Sequence, residues 1–305
     1  MYLEHFKLSK PPFSLTPNTD FYCEFPMHKE ALNVLLLSLQ QGEGFIKIVG
    51  EVGTGKTLLC RLLLNGLDES FVTAYIPNPP QTIESLHLSL ATELGLPLEQ
   101  HPHPHQVLNA ITMHLLALHQ DGKKTILIID EAQALPDPCL EAVRLLTNIE
   151  TEEKKLLQVV LFGQPELNQK LKQHALRQLS QRITFSYTLK PLNRNELDIY
   201  LCHRLAKAGY TYGSLFSTTA KKHLFHASGG LPRILNILCH KALLAAYGQG
   251  AQRVNARAVK RAIFDTERTY PNGHRIIPRG AIVMGISTII ATMAILFYWK
   301  YGLIR

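Results

Sequence analysis

Paired cysteines are missing from this chain. Its five cysteines, at 23, 60, 139, 202 and 239, include no CxxC pair. That spacing argues against a disulfide framework and for reduced, mostly buried thiols. Met1 to Lys10 is mixed and polar, and no uninterrupted apolar segment follows it, so no signal peptide is expected. The chain has no internal repeat and no low-complexity run. Acidic residues are in deficit, 24 against 32 Lys and Arg, which leaves a formal charge of +8. The excess biases the chain toward acidic partners such as nucleic acid or anionic lipid. His101, His103 and His105 suggest a metal site, but the intervening prolines splay the rings in an extended chain. No cysteine or carboxylate cluster lies nearby to complete a shell, so an exposed loop is expected there.

What is present begins with length and apolar content. The 305 residues suggest two folded domains, or a large one with a smaller one, with a sizeable core. The centre of the sequence is Gly50-Glu51-Val52-Gly53-Thr54-Gly55-Lys56-Thr57, a complete GxxxxGK[ST] phosphate loop. Phe45 to Val49 before it is short, apolar and β-prone. Leu58 to Leu64 after it has the apolar density of a buried helix. Strand, glycine-rich turn and helix therefore come in the required order. The glycines let the backbone bring its N–H groups to a phosphate, and the helix N-terminus adds a favourable dipole. Lys56 is expected to reach the β- and γ-phosphates of ATP and Thr57 to hold Mg²⁺.

A second stretch, Thr125 to Glu131, reads as a strand buried on both faces that ends in two carboxylates. Ligands bind at that end of open α/β sheets. Asp130 is expected to position Mg²⁺, directly or through water, and Glu131 to polarise the attacking water. Leu156 to Phe162 is the next buried strand. Gln164, just past its end, could sense the γ-phosphate or orient water. Further strands are expected at 71–76 and 183–189, and helices at 27–39, 83–94, 106–119, 139–149 and 168–181. The proline-rich stretch from Tyr2 to Phe25 is expected to be irregular, either walling an adenine pocket or filling a groove between helices. After Pro191 come four amphipathic helices, 195–208, 217–226, one opened by Gly229-Gly230-Leu231-Pro232-Arg233 and running to Tyr247, and 256–268, which suggest a small helical domain.

Ala281 to Trp299 has no charged residue and is just long enough to cross the hydrocarbon layer as a helix. Basic residues flank it, and Phe297, Tyr298, Trp299 and Tyr301 cluster at one end. A single transmembrane helix is expected there, with a buried core helix as the alternative.

In combination these motifs resemble the AAA+ ATPases of the general secretion pathway protein A (ExeA-like) family, including its short pilus-biogenesis members. The matching residues are Pro12 to Pro17, Gly50 to Thr57, Ile129 to Gln133, Gly163 to Leu167, Leu179 to Ile183 and Gly229 to Arg233. The resemblance implies an α/β P-loop NTPase sandwich with a parallel five-stranded sheet over residues 1–190 and a helical lid over 191–270. A linker at 271–280, the transmembrane helix at 281–299 and a short tail would follow. It implies nucleotide contacts from the loop and Leu58, a sensor role for Gln164, and a sensor role in the lid for Arg233. It implies for Arg182 the role of an arginine finger acting on a neighbouring subunit, with Arg177 as its competitor. A solvated surface arginine is the plainer reading of Arg182, and a lid salt bridge that of Arg233.

The implied function is a membrane-anchored, Mg²⁺-dependent ATP hydrolase of the bacterial inner membrane, its ATPase domain in the cytoplasm. It would form a ring or ATP-dependent oligomer and energise assembly of a type IV (MSHA-like) pilus or type II secretion apparatus through inner-membrane partners. Longer members carry a peptidoglycan-binding domain after the membrane helix. This sequence stops at Arg305, which leaves cell-wall contact in doubt. The alternative is a nucleic-acid-dependent ATPase like the transposition factors that share this core.

Overall fold

A computed structural model describes residues 1–14, 19–97, 103–151 and 154–269. The chain divides into two units, the first of them Met1–Ala262. In the first unit five strands, β1 (Phe45–Gly50), β2 (Phe71–Ile76), β3 (Lys124–Ile129), β4 (Leu157–Gly163) and β5 (Phe185–Leu189), make one sheet in the order β2-β3-β4-β1-β5. All four pairings are parallel. The central strands β3 and β4 are almost wholly buried, which is why they read as continuous apolar runs rather than alternations. Edge strand β5 alternates and leaves Phe185 partly exposed.

Helices cover both faces. On one side lie α2 (Pro26–Gln41) and α3 (Lys56–Gly66), packing Leu35, Leu39, Leu59 and Leu63 against Ile46, Ile48, Ile126, Ile128, Val160 and Phe162. On the other lie α4 (Ile83–Glu93), α5 (Pro104–Gln120) and α6 (Asp137–Leu146), over Val49, Leu127, Ile129, Val159 and Leu161. Side chains alternate between the two faces of each strand, so β1 to β4 feed both cores, while edge strand β5 adds Tyr187 and Leu189 to the first alone. At about 1.5–3 kcal/mol per fully buried aliphatic or aromatic side chain, these cores dominate the favourable side of folding.

A short helix α1 (Tyr2–His5) opens the chain. Helices α7 (Pro165–Leu171) and α8 (Arg177–Arg182) flank a 3₁₀ turn at His174–Leu176. After β5 come α9 (Arg194–Lys207), α10 (Thr218–Ser228), α11 (Pro232–Tyr247) and α12 (Ala256–Thr269).

Three expectations are corrected. The transmembrane helix is the first: no helix among the described residues is long and apolar enough to cross a membrane, and 281–299 lie outside those residues. The fold class is thus the five-stranded sandwich with trailing helices, with no membrane-spanning helix among the described residues. The inner-membrane location and the anchor that followed from it lose their support, and the lipid contact suggested by the net charge gains none. Second, 168–181 is not one helix. Buried Leu167 and Leu171 are four residues apart, but the next buried leucine, Leu176, comes five later. A continuous helix would turn it roughly 140° away from that face, and the break restores the phase. Third, the histidine stretch is not all loop. His103 caps α5, with Pro104 at the first helical position, where a missing N–H does no harm. His101 lies outside the described residues, and no metal-binding cluster occurs among them.

Candidate active site

Parallel register brings the loops after β1, β3 and β4 to one edge of the sheet. Val49 lies opposite Gly163, and Ile129 opposite Leu161. The phosphate loop, the Asp130-Glu131 pair and Gln164 therefore emerge side by side from strands far apart in sequence.

Within the loop Gly53 and Gly55 have φ of +85° and +102°, values L side chains rarely adopt. Gly55 is the N-cap of α3, so the first amides of that helix face the loop's interior. Lys56 is buried, with Nζ 2.8 Å from Gly50 O and 3.1 Å from Glu51 O. Burial pulls its pKa down, while Glu131, Asp130, Glu51 and Glu166 pull it back up. The lysine is thus a desolvated point charge held on carbonyls it can leave for phosphate oxygens. Of the other loop residues, Glu51 and Val52 are exposed, Thr54 is buried, and Leu58 is half-buried on α3.

Thr57 Oγ1 donates to Asp130 Oδ2 at 2.8 Å, and Asp130 Oδ1 accepts from the backbone N–H of Glu131 at 2.8 Å. Burial raises the Asp130 pKa against the hydrogen bonds from Thr57 and Glu131. A hydroxyl and a carboxylate in contact are hard oxygen donors suited to Mg²⁺.

Glu131 has φ +51° and ψ +35°, the left-handed region, which costs a non-glycine residue on the order of 1 kcal/mol or more. A 3₁₀ turn over Ala132–Ala134 holds it there through Ala134 N–H to Glu131 O at 2.9 Å. Its Oε2 accepts from Gln164 Nε2 at 2.8 Å and Gln133 Nε2 at 2.6 Å. Gln133 Oε1 in turn accepts the backbone N–H of Gln164 at 2.9 Å. Burial would raise the Glu131 pKa, but the Gln164 and Gln133 hydrogen bonds, with Lys56 and Arg233, outweigh it and hold the carboxyl below its ordinary value. The group is an ionised, oriented acceptor at neutral pH.

Arg233 is exposed in the first turn of α11, and its backbone N–H lies 3.3 Å from Gly53 O. Its guanidinium field reaches Glu131. Arg182, on α8, stands apart from this cluster. Its Nη1 donates to Arg144 O at 3.3 Å and Thr147 Oγ1 at 3.1 Å within the same chain. Arg177 is exposed and lines a surface groove of about 700 Å³ with Glu141, Arg144 and Gln181.

The structure thus brings together the loop, Asp130, Glu131, Gln164 and the backbone of Arg233. Sequence reasoning missed Gln133 and His28. Gln133 stands two residues after Glu131, but only the turn at 132–134 reveals that it reaches back to it. His28, in α2, reaches the loop through its Nε2, 3.1 Å from Thr54 O, and no local motif marks it.

Residues 39–171 match the family described as "AAA domain". The chain is similar to general secretion pathway protein A of Aeromonas hydrophila, 42% identical over 289 residues that cover 93% of this chain and 53% of that protein. It spans about half the length of that relative. Among solved structures it resembles Cdc6p of Pyrobaculum aerophilum (TM-score 0.65, 18% identity, covering 81% of this chain and 69% of that one). It also resembles the Aeropyrum pernix ORC1 protein in complex with DNA (TM-score 0.63, 19% identity, 86% and 71% covered). At such identities the structural likeness speaks for the fold alone. The AAA domain and the 42% identical relative support ATP hydrolase activity in this chain.

Proposed function

The chain carries an AAA domain and is a relative of general secretion pathway protein A, and from that premise we propose an ATP hydrolase that energises assembly or remodelling of a secretion or type IV pilus apparatus. The narrower reading, a pilus-biogenesis member like MSHA biogenesis protein MshM, rests on the motifs of the chain itself. The expected membrane anchor forms no part of the proposal.

The observation that carries the enzymatic reading is the ionised Glu131 carboxylate, held by two glutamines beside a phosphate loop with an intact lysine. The loop amides and Lys56 bind the phosphates of ATP. Thr57 and Asp130 hold Mg²⁺, which neutralises phosphate charge when bound. Glu131 Oε2 is committed to Gln164 and Gln133, which leaves Oε1 to take a proton from the attacking water. Gln164 orients that carboxylate and reads the γ-phosphate. Arg233 adds positive charge from α11. In this reading residues 1–190 form the nucleotide domain and 191–270 its lid. Subunits associate, and Arg182 or Arg177 reaches the nucleotide of a neighbour.

Measurement of nucleotide binding and phosphate release by the full chain tests the site. Wild type is expected to bind ATP with Mg²⁺ and turn it over. Lys56→Ala is expected to lose affinity by tenfold or more, since a charge-assisted phosphate contact is worth roughly 1.5–3 kcal/mol. ATP binding unaffected by that substitution would refute the site.

One observation favours a second reading, a nucleic-acid-dependent ATPase. Arg257, Lys260 and Arg261 are all exposed on α12, at spacings that share a helix face. Turnover stimulated by DNA, with an affinity that falls steeply with salt, would support it. Turnover indifferent to DNA would leave the secretion reading in place.

A further inference from the structure

Two successive carbonyls of the phosphate loop are held from outside the sheet. Gly53 O accepts from the backbone of α11, as described above. Thr54 O faces His28, whose ring is buried (7% exposed) with Nε2 at 3.1 Å. A carbonyl only accepts, so Nε2 carries the hydrogen and Nδ1 is the bare nitrogen of a neutral ring. Nδ1 is buried and finds no hydrogen-bond partner among the described residues, which suits a neutral imidazole and not a cation. Burial also pulls the His28 pKa down, against the Thr54 hydrogen bond and the Glu196 charge.

The ring cannot swing away. Tyr22 stands edge-on at 6.3 Å and Phe25 tilted at 6.2 Å between centroids, and Phe25 in turn lies 6.4 Å from Tyr200 of α9. The segment that carries these aromatics is tied to the trailing helices. Ser9 N–H donates to Ala208 O at 2.8 Å, and Arg204 Nε to Pro12 O at 2.6 Å. The loop is equally close to the ring, for a Cβ on Gly55 would lie 3.3 Å from His28 Nε2.

In a trans peptide the C=O and N–H lie in one plane and point in opposite directions. With Thr54 O turned toward His28, the N–H of Gly55, in the same peptide, points the opposite way. That amide belongs to the group a phosphate loop presents to its ligand. We propose that His28 is a positioning residue for nucleotide binding: its Nε2–H pins the Thr54–Gly55 peptide so that the Gly55 amide is fixed for a phosphate oxygen. The inference deepens the ATP-binding reading above and rests on it. Gly55 at φ +102° is free to let this peptide rotate, so an external donor is what keeps it in one orientation.

The test is calorimetric titration of the full chain with MgATP and with ADP, comparing wild type, Lys56→Ala, His28→Gln and His28→Leu. A glutamine amide can present a donor at a reach similar to Nε2, and leucine cannot. Removal of the donor is expected to weaken both nucleotides about tenfold, the scale of one hydrogen bond in a buried site. His28→Gln is expected to stay within about threefold of wild type. KM is expected to rise with kcat little changed, because the amide contact exists in ground and transition states alike. Melting temperatures without nucleotide check folding. If His28→Leu does not fold, His28→Asn, too short to reach Thr54 O, takes its place against His28→Gln. The inference is overturned if the donor-less variant binds as wild type, or if His28→Gln loses as much as the donor-less variant. If wild type itself binds no ATP, the function reading falls and takes this inference with it. If wild type binds, Lys56→Ala does not and His28→Leu does, only the role of His28 is lost.

Discussion

Gly53 sits where a side chain has no room. Its φ is +85°, and a Cβ there would come 2.5 Å from Arg233 Cβ. Gly42, the left-handed C-cap of α2, has nearly the same φ, +83°, and nothing within 4 Å of its virtual Cβ. The pair separates backbone strain from collision. Gly42→Ala is expected to cost about 1 kcal/mol, the conformational penalty alone. Gly53→Ala is expected to cost more, to disturb the contact between α11 and the loop, and to weaken ATP binding, which Gly42→Ala leaves unchanged. Urea unfolding and nucleotide titration of both variants measure this; equal costs would show that the α11 contact does not constrain the loop.

The cysteines give a second residue-scale prediction. Cys23, Cys60, Cys139 and Cys239 are buried, and Cys202 is exposed. Burial pushes the Cys60 thiol up to about 12 and raises those of Cys23, Cys139 and Cys239. Brief alkylation of the native protein, read by peptide mass spectrometry, is expected to modify Cys202 first. Equal labelling of Cys60 would contradict its place in the core. At this scale the sequence was legible where chemistry is local. Lys56 and Thr57 are neighbours in a motif, and Asp130 and Glu131 end a strand whose apolar run announces it. His28 was not legible, because what it does depends on a carbonyl 26 residues away that only the fold brings near.

The elements were legible to the extent that their signals are local too. Phe71–Ile76 was bounded by turn residues and proline and forms as expected. Thr82 caps α4 with Ser85 in place of the usual glutamate, through reciprocal contacts of 3.1 Å. The break between α7 and α8 was not legible, because the lone signal was a five-residue step between leucines that only a three-dimensional core gives meaning. At α9, Asn193 Oδ1 accepts the N–H groups of Asn195 and Glu196, both at 3.0 Å, and Glu196 Oε2 returns the contact to Asn193 N–H at 2.8 Å. Asn193→Ala is expected to destabilise the protein by about 1 kcal/mol, and Asn193→Ser or Asn193→Asp to recover most of it. A denaturant midpoint unmoved by the alanine would mean that the cap does not limit α9.

At the scale of the whole molecule, the sheet order follows from four parallel pairings, and its consequence is that three loops share one edge. The number of strands and their parallel arrangement were expected from the family resemblance; which strand stands beside which was not legible from the chain, since register is set by long-range packing. The location read from the apolar stretch at 281–299 finds no support, because no helix among the described residues is long and apolar enough to cross a membrane and that stretch lies outside them. Association of subunits makes a prediction at this scale. If an arginine acts across an interface, a mixture of Lys56→Ala and Arg182→Ala chains is expected to recover turnover that each lacks, because a mixed interface pairs an intact loop with an intact arginine. Recovery with Arg177→Ala and none with Arg182→Ala would assign the role to Arg177, which the exposed position of Arg177 and the intrachain bonds of Arg182 make a sharp comparison.

The central claim is that Glu131, held by Gln164 and Gln133, activates water for ATP hydrolysis, and it is tested most directly by ATP binding and steady-state phosphate release measured together on Glu131→Gln and wild type. The variant is expected to bind MgATP within about threefold of wild type, because its ground-state contacts with the nucleotide are unchanged. Its phosphate release is expected to fall by a factor of about 100 or more, as for loss of a general base. Phosphate release at the wild-type rate from Glu131→Gln would contradict it.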